Sequence, residues 1–325
     1  MRQNIPAVAI QKRLQKAKSP FLISWALTHR CNHNCLYCQI YKIKCREMNT
    51  KEALRIINEL AAMGVMLICL SGGEPLLRDD IGEIINFIRK KKIAFDISSN
   101  GYLVEEKISQ IDGLRALCLS LDGPQEIHDY IRRKKGAYKR VLEAARLAKK
   151  KKIPVYFRTV LSRLNLNRID FILNLASRLE IGVLFQPATE NLYGTDIKNP
   201  IAPFQKKYRE AIDKLIMEKQ KGNRFIQSPL PVLRYIRQWP LAARIDCISE
   251  KIFFHLGPDG KIYPCIWNRN LHALRGQDCL KLGVKKAIAA LAKSPVCNGC
   301  WDVAAYGLNY SYLNTSLQNI RGTNK

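Results

Sequence analysis

Three cysteines crowd one short stretch near the start of the chain, Cys31-Asn-His-Asn-Cys35-Leu-Tyr-Cys38. At spacing C-x3-C-x2-C their thiolates can hold three irons of a cubane cluster. The fourth iron is then left without a protein ligand, the open position that a reactive metal needs. A zinc ion would more naturally take four ligands, and His29 or His33 could complete such a set. A second constellation follows much later: Cys247, Cys265, and the C-x2-C pair Cys297 and Cys300. Spacing alone favours a structural zinc held by these four thiolates. Cys279 could replace one of them, and Cys45 is a spare thiol beside the first set. Cys69 and Cys118 sit inside apolar runs, where cysteine packs as a small hydrophobe.

Other polar motifs are tied to regular elements. Candidate strands run over 21–28, 65–71, 93–99, 114–120, 153–160 and 181–187, with helical patterns near 51–63, 81–92, 105–111, 138–150 and 168–180. The strands are continuous apolar runs, as expected when both faces are buried, and their alternation with helices predicts a parallel sheet with right-handed crossovers. The first cysteine set follows the first strand. Gly72-Gly73-Glu74-Pro75 follows the second, Ser98-Ser99-Asn100-Gly101 the third, and Ser120-Leu121-Asp122-Gly123 the fourth, with His128-Asp129-Tyr130-Ile131-Arg132 beyond it. All four motifs therefore fall at carboxyl ends of parallel strands, which share one face where active sites are built.

C-x3-C-x2-C with an aromatic residue, Tyr37, before the last cysteine resembles the signature of the radical S-adenosylmethionine (SAM) superfamily. The resemblance implies a partial (β/α)6 TIM-like barrel of class α/β. It also implies a [4Fe–4S] cluster whose open iron is chelated by SAM, and reductive cleavage of SAM to a 5′-deoxyadenosyl radical that abstracts hydrogen from a substrate. Carried over by motif, Gly72, Gly73, Glu74 and Pro75 meet the SAM amino group, Ser98 and Asn100 its ribose, and Ser120 and Arg132 are further SAM contacts. The later cysteines are similar to the SPASM and twitch modules of such enzymes. No cysteine follows Cys300, so the shorter twitch form with one auxiliary [4Fe–4S] cluster is implied. An oxidation or rearrangement assisted by that cluster is the expected reaction, with a flavodoxin or ferredoxin as reductant.

The chain of 325 residues is expected to divide into a basic segment 1–20, a core 21–240 and a cysteine-rich domain 241–325, the last with a hairpin around Gly257-Pro258-Asp259-Gly260. No apolar run approaches the roughly 20 residues that span a bilayer, and no signal-peptide core is present, so a cytoplasmic protein is expected. Net charge is +27, much of it in Arg89–Lys92, Arg132–Lys135 and Lys149–Lys152. Two of these runs fall where a helix should end and there complement the helix dipole. No aromatic residues interleave with them, so specific nucleic-acid binding is not expected.

The substrate is open: a small molecule, a peptide or a lipid. Only about twenty residues precede the first strand, which favours a non-peptide substrate. Residues 5–21 could form a basic amphipathic helix and contact an anionic membrane peripherally. Glu190, Tyr193 and Asp196 follow the sixth strand and could line the mouth. Asp246 and Glu250 flank Cys247 and could act as a base. A zinc-binding, nucleic-acid-interacting protein remains the alternative of a different class, although it leaves the Gly-Gly-Glu-Pro and Ser-Ser-Asn motifs unexplained.

Overall fold

A computed structural model describes residues 20–192, 195–240, 249–265 and 276–291, with only the backbone of Ser249 and Glu250. Six parallel strands form its centre: β1 (Leu22–Thr28), β2 (Leu67–Gly72), β3 (Ala94–Ser99), β4 (Ala116–Ser120), β5 (Val155–Leu161) and β6 (Gly182–Pro187). Between and after them lie α1 (Thr50–Ala62), α2 (Ile81–Lys90), α3 (Val104–Lys107), α4 (Gln125–Arg132), α5 (Ala137–Lys150), α6 (Ile169–Leu179) and α7 (Gln205–Gln220). Each expected strand is present within two residues of its predicted ends. Helix α4 was not expected; it is only eight residues long and opens directly on the Pro124 turn.

The helices cover one face of the sheet because alternate strand residues are large and apolar. Ile23 and Trp25, Ile68 and Leu70, Phe95 and Ile97, Leu117 and Leu119, and Val183 and Phe185 are all buried in that layer. Burial of each such side chain contributes about 1.5–3 kcal/mol. The other face carries smaller and more polar residues at the intervening positions, among them Ser24, Cys69, Asp96, Ser98, Ser120, Arg158 and Gln186. Register aligns Ser24 with Cys69, Cys69 with Asp96, and Ser120 with Arg158.

Beyond the stretch punctuated by Pro229, Pro231 and Pro240, which contains α8 (Leu230–Ile236), the chain returns to the same sheet. After the one-turn helix α9 (Ser249–Ile252), strand β7 (Phe253–Leu256) pairs in parallel with β1, and β8 (Lys261–Tyr263) turns back antiparallel around Gly257–Gly260. A two-residue strand β9 (Gln277–Asp278) closes the order β6-β5-β4-β3-β2-β1-β7-β8-β9, followed by α10 (Cys279–Leu282) and α11 (Val284–Ala289). The expected hairpin is therefore present and extends the central sheet. Cations do sit at helix ends: Arg89 and Lys90 close α2, and Lys149 and Lys150 close α5. Among the described residues no helix is long and apolar enough to cross a membrane.

Candidate functional site

The cysteine loop leaves the carboxyl end of β1 and is held down on two sides. Gly73 N donates to Thr28 O at 2.8 Å and Glu74 N to Arg30 O at 2.9 Å, binding the turn after β2 to the start of the loop. Leu36 N donates to Ile131 O of α4 at 2.9 Å. The close approach needs glycine at position 73, where a Cβ would lie 2.1 Å from Arg30 O. Gly72 has φ +130°, and a Cβ there would lie 2.2 Å from Thr28 O. A glycine pair thus lets two strand-end loops touch through backbone.

Cys31, Cys35 and Cys38 are half-buried and close enough to raise one another's pKa. Burial pushes the Cys31 thiol up to about 11 and Cys38 to about 12, and raises Cys35 as well. Such thiols ionise readily only when a metal supplies the opposing charge. Among the described residues no three Cys, His, Asp or Glu side chains close around a single metal ion. The thiolates of a cubane each bind a separate iron and need not close around one ion. His29 instead lies 3.4 Å from Cys45 through Nδ1. His33, within the thiol loop, is buried against the edge of Tyr102 with both ring nitrogens unpaired. Burial, with Arg132 and Lys134 nearby, lowers its pKa to about 3, so the ring is neutral. The donor set of three grouped thiols, a neutral imidazole and a glycine cradle fits an iron–sulfur cluster with a small polar ligand beside it.

Glu74 is fully buried and occupied. Its Oε1 accepts from Leu76 N at 3.2 Å and Ser99 Oγ at 3.0 Å, and its Oε2 accepts from Asn100 N at 2.7 Å. Burial outweighs these bonds and pushes the carboxyl up to about 7. The side chain thus fastens the turn after β2 to the end of β3. Asn100 in turn donates through Nδ2 to Asn32 Oδ1 at 2.7 Å, inside the cysteine loop. Pro75 opens a short 3-10 turn behind Glu74.

Arg132 and Asp122 form a buried ion pair, Nε to Oδ2 at 2.8 Å. Arg132 Nη1 lies 3.9 Å from Cys35 Sγ, and its guanidinium sits 5.4 Å from the Tyr37 ring centroid. Tyr37 OH reaches Asp122 Oδ2 at 3.5 Å. Burial alone would lower the Arg132 pKa, but Asp122, Tyr37 and Cys35 carry it well above its ordinary value. Asp122 is itself fixed: its Oδ1 accepts from Val160 N at 3.1 Å, and its amide donates to His128 Nδ1 at 3.1 Å. Asn165 Nδ2 donates to both Asp122 O and Val160 O. Sequence reasoning found Arg132 and Tyr37 by motif and quoted Asp122 and His128 without roles. It missed Asn165, whose position 43 residues downstream carries no signal.

The remaining expected residues divide plainly. Ser98 and Ser120 are half-buried on the inner face, at the ends of β3 and β4. Glu190 and Asp196 are exposed in the loop after β6, where Asn199 N donates to Glu190 O. Cys265 is half-buried just past β8, and Cys279 is buried in α10 within the core. Tyr193, Asp246, Cys247, Cys297, Cys300 and the Glu250 side chain lie outside the described residues, as does the basic segment before Pro20.

Residues 25–176 match the family described as the radical SAM superfamily. The chain is similar to the AdoMet-dependent heme synthase of Methanosarcina barkeri, 34% identical over 168 residues, covering 50% of this chain and 48% of that protein. It is also similar to the PqqA peptide cyclase of Gluconobacter oxydans, 28% identical over 76% of this chain and 70% of that one. The chain thus spans about half the length of the methanogen relative. In fold it resembles anSMEcpe with bound AdoMet, at TM-score 0.69 and 16% identity, covering 92% of this chain and 98% of that one. The matched span begins in β1 and ends in α6, so the part of the chain that matches the radical SAM superfamily takes in the thiol loop, the glycine cradle and the Asp122–Arg132 pair.

Proposed function

We propose that this protein is a SAM-cleaving radical enzyme whose cluster is held by Cys31, Cys35 and Cys38. The observation that carries the reading is the meeting of three separate strand-end motifs on one thiol loop: Gly73 and Glu74 bind its first residues, Asn100 binds Asn32, and Arg132 stands beside Cys35. When bound, the [4Fe–4S] cluster supplies one electron to SAM, and the 5′-deoxyadenosyl radical so released removes a hydrogen atom from the substrate. Arg132 places a guanidinium N–H beside Cys35, a donor toward the sulfur of whatever that thiolate binds. Asp122 keeps that charge in place and compensated. The glycine pair leaves backbone, without side chains, at the turn that would face the SAM amino group.

The second part of the proposal is an auxiliary [4Fe–4S] cluster on Cys247, Cys265, Cys297 and Cys300, with a flavodoxin or ferredoxin as the one-electron donor. For the substrate we favour a peptide. The PqqA peptide cyclase and the mycofactocin maturase of Mycolicibacterium smegmatis each match over 76% of this chain. Oxygen-free purification and cluster reconstitution test the whole scheme. About eight irons per chain and 5′-deoxyadenosine on reduction with SAM are expected. A colourless, iron-free chain that leaves SAM intact ends it, and four irons with active cleavage would remove only the auxiliary cluster.

A further inference from the structure

The run Arg132-Arg133-Lys134-Lys135 differs from the other basic runs of the chain. Those at 89–92 and 149–152 close α2 and α5, where cations meet helix carboxyl ends. Here only Arg132 lies within α4, and it is engaged with Asp122 beside Cys35. Arg133 caps the helix, and Lys134 and Lys135 lead on to α5, with Arg133 and Lys135 exposed. The carboxylates around this loop have partners of their own. Asp129 accepts from Gly136 N at 2.7 Å and from Tyr138 N at 2.8 Å, folding the loop back on α4. Glu105 and Glu143 pair with Arg140, and Glu143 also lies 3.9 Å from Lys139. Lys134 rests on an aromatic face, its Nζ 4.9 Å from the Tyr102 centroid. Among the described residues no carboxylate pairs with Arg133, Lys134 or Lys135.

This basic loop stands next to the thiol loop. Ile131 O accepts from Leu36 N, and Arg132 Nη1 lies 3.9 Å from Cys35 Sγ. Behind Lys134, the Tyr102 ring meets His33 edge to face at 5.7 Å between centroids, and His33 N lies 3.4 Å from Cys31 Sγ. Two touching rings therefore lead from the basic loop to a thiol of the cluster loop. In the last turn of α4, Tyr130 is 64% exposed, more than any other large hydrophobic side chain among the described residues. An exposed aromatic close to arginine is the composition that protein interfaces favour. A face of one sign of charge also steers a partner of the opposite sign.

We propose that Tyr130 and the loop Arg133–Lys135 form the docking surface for the electron donor, an acidic protein of the flavodoxin type. One electron leaves the flavin hydroquinone, which becomes the semiquinone, and reduces the cluster on Cys31, Cys35 and Cys38; no bond or proton is transferred. The loop places the donor on the side of the thiol loop where Tyr102 and His33 bridge the gap. This deepens the proposed function, on which it rests for the cluster and the donor. Its test reads binding as well as reduction.

The experiment uses the reconstituted full chain and a flavodoxin. Binding of oxidised flavodoxin is read by titration calorimetry, and cluster reduction by its hydroquinone is read by stopped-flow absorbance. Dithionite serves as a small donor that needs no docking. Arg133→Glu combined with Lys135→Glu should weaken flavodoxin binding about tenfold at low salt and slow its reduction of the cluster to a similar degree. Iron content should not change, and reduction by dithionite should stay within about threefold, since neither depends on a docked protein. Higher ionic strength should narrow the gap between native and variant chains. Lys150→Glu combined with Lys151→Glu makes the same change of net charge at the end of α5 and should leave flavodoxin binding within about twofold. An equal loss in both variants overturns the assignment, because net charge alone would then account for it. Native binding and reduction in the loop variant also overturn it, and if dithionite still drives SAM cleavage there, the proposed function stands without this surface. If dithionite and SAM yield no 5′-deoxyadenosine, the proposed function fails, whereas a loss of flavodoxin binding confined to the loop variant still supports the docking surface.

Discussion

Asp122 carries an unusual share of the site through a single side chain and its own amide. One oxygen anchors Arg132, the other caps Val160 N, and the amide holds His128 in the tautomer with the proton on Nε2. Removing its charge would strand a buried guanidinium. Asp122→Asn should therefore destabilise the fold by about 3–5 kcal/mol, read from denaturant unfolding of the metal-free chain. Loss of less than about 1 kcal/mol would show that Arg132 is compensated elsewhere. Glu74 makes the opposite case. Its carboxyl titrates near 7 when folded, above its ordinary 4.5, because burial disfavours the charge. A raised carboxyl pKa means the folded state holds the proton more tightly than the unfolded one. Its contribution is complete below about pH 4.5 and is lost as pH rises through 7. The full span is about 3 kcal/mol. Stability of the metal-free chain should thus fall between pH 5 and 8, and Glu74→Gln should flatten that fall. An unchanged slope in the variant would place the titration on another group.

At the level of elements, the site depends on loops that touch through backbone. The turn after β2 reaches the cysteine loop only because Gly73 has no side chain. Gly73→Ala must push Arg30 and His29 carbonyls away by an ångström or more, moving Cys31 with them. Iron incorporation should fall at least twofold and SAM affinity at least tenfold, measured by iron analysis and calorimetry on the reconstituted variant. Normal values for both would mean the loop tolerates the displacement. Helix α4 acts in a similar way. Its last turn supplies Arg132 and, through Ile131 O, the acceptor for Leu36 N. It was hard to see in the sequence because eight residues give barely two turns of periodicity, and a polar run of Gln125, Glu126, His128 and Asp129 masks the buried face.

Across the whole molecule, the hairpin after residue 249 completes the sheet that bears the site. Phe254 and Leu256 of β7 are buried, and β7 covers the edge of β1 along Leu22–Trp25. The first strand described after residue 240, β7, pairs with the first strand of the chain. A chain ending at residue 240 should expose that edge and its apolar cover, and collect in the insoluble fraction. Recovery of a soluble fragment with a cooperative unfolding transition would show that the hairpin is dispensable. Part of the basic charge sits at helix ends, where Arg89 and Lys90 close α2 and Lys149 and Lys150 close α5.

The amino-acid sequence by itself determined the strand series, the placement of four motifs at strand ends and the three-thiol loop. These rest on short-range signals: continuous apolar runs, glycine pairs and cysteine spacing that survive in one dimension. Only the tertiary structure decided that Glu74 is spent on Ser99 and Asn100, that Asp122 and Asn165 hold Arg132 and its loop, and that β7 joins β1. Most of those are contacts between residues far apart in the chain. Burial and partner choice across such distances are set by how the strands curl and register, which no local pattern encodes.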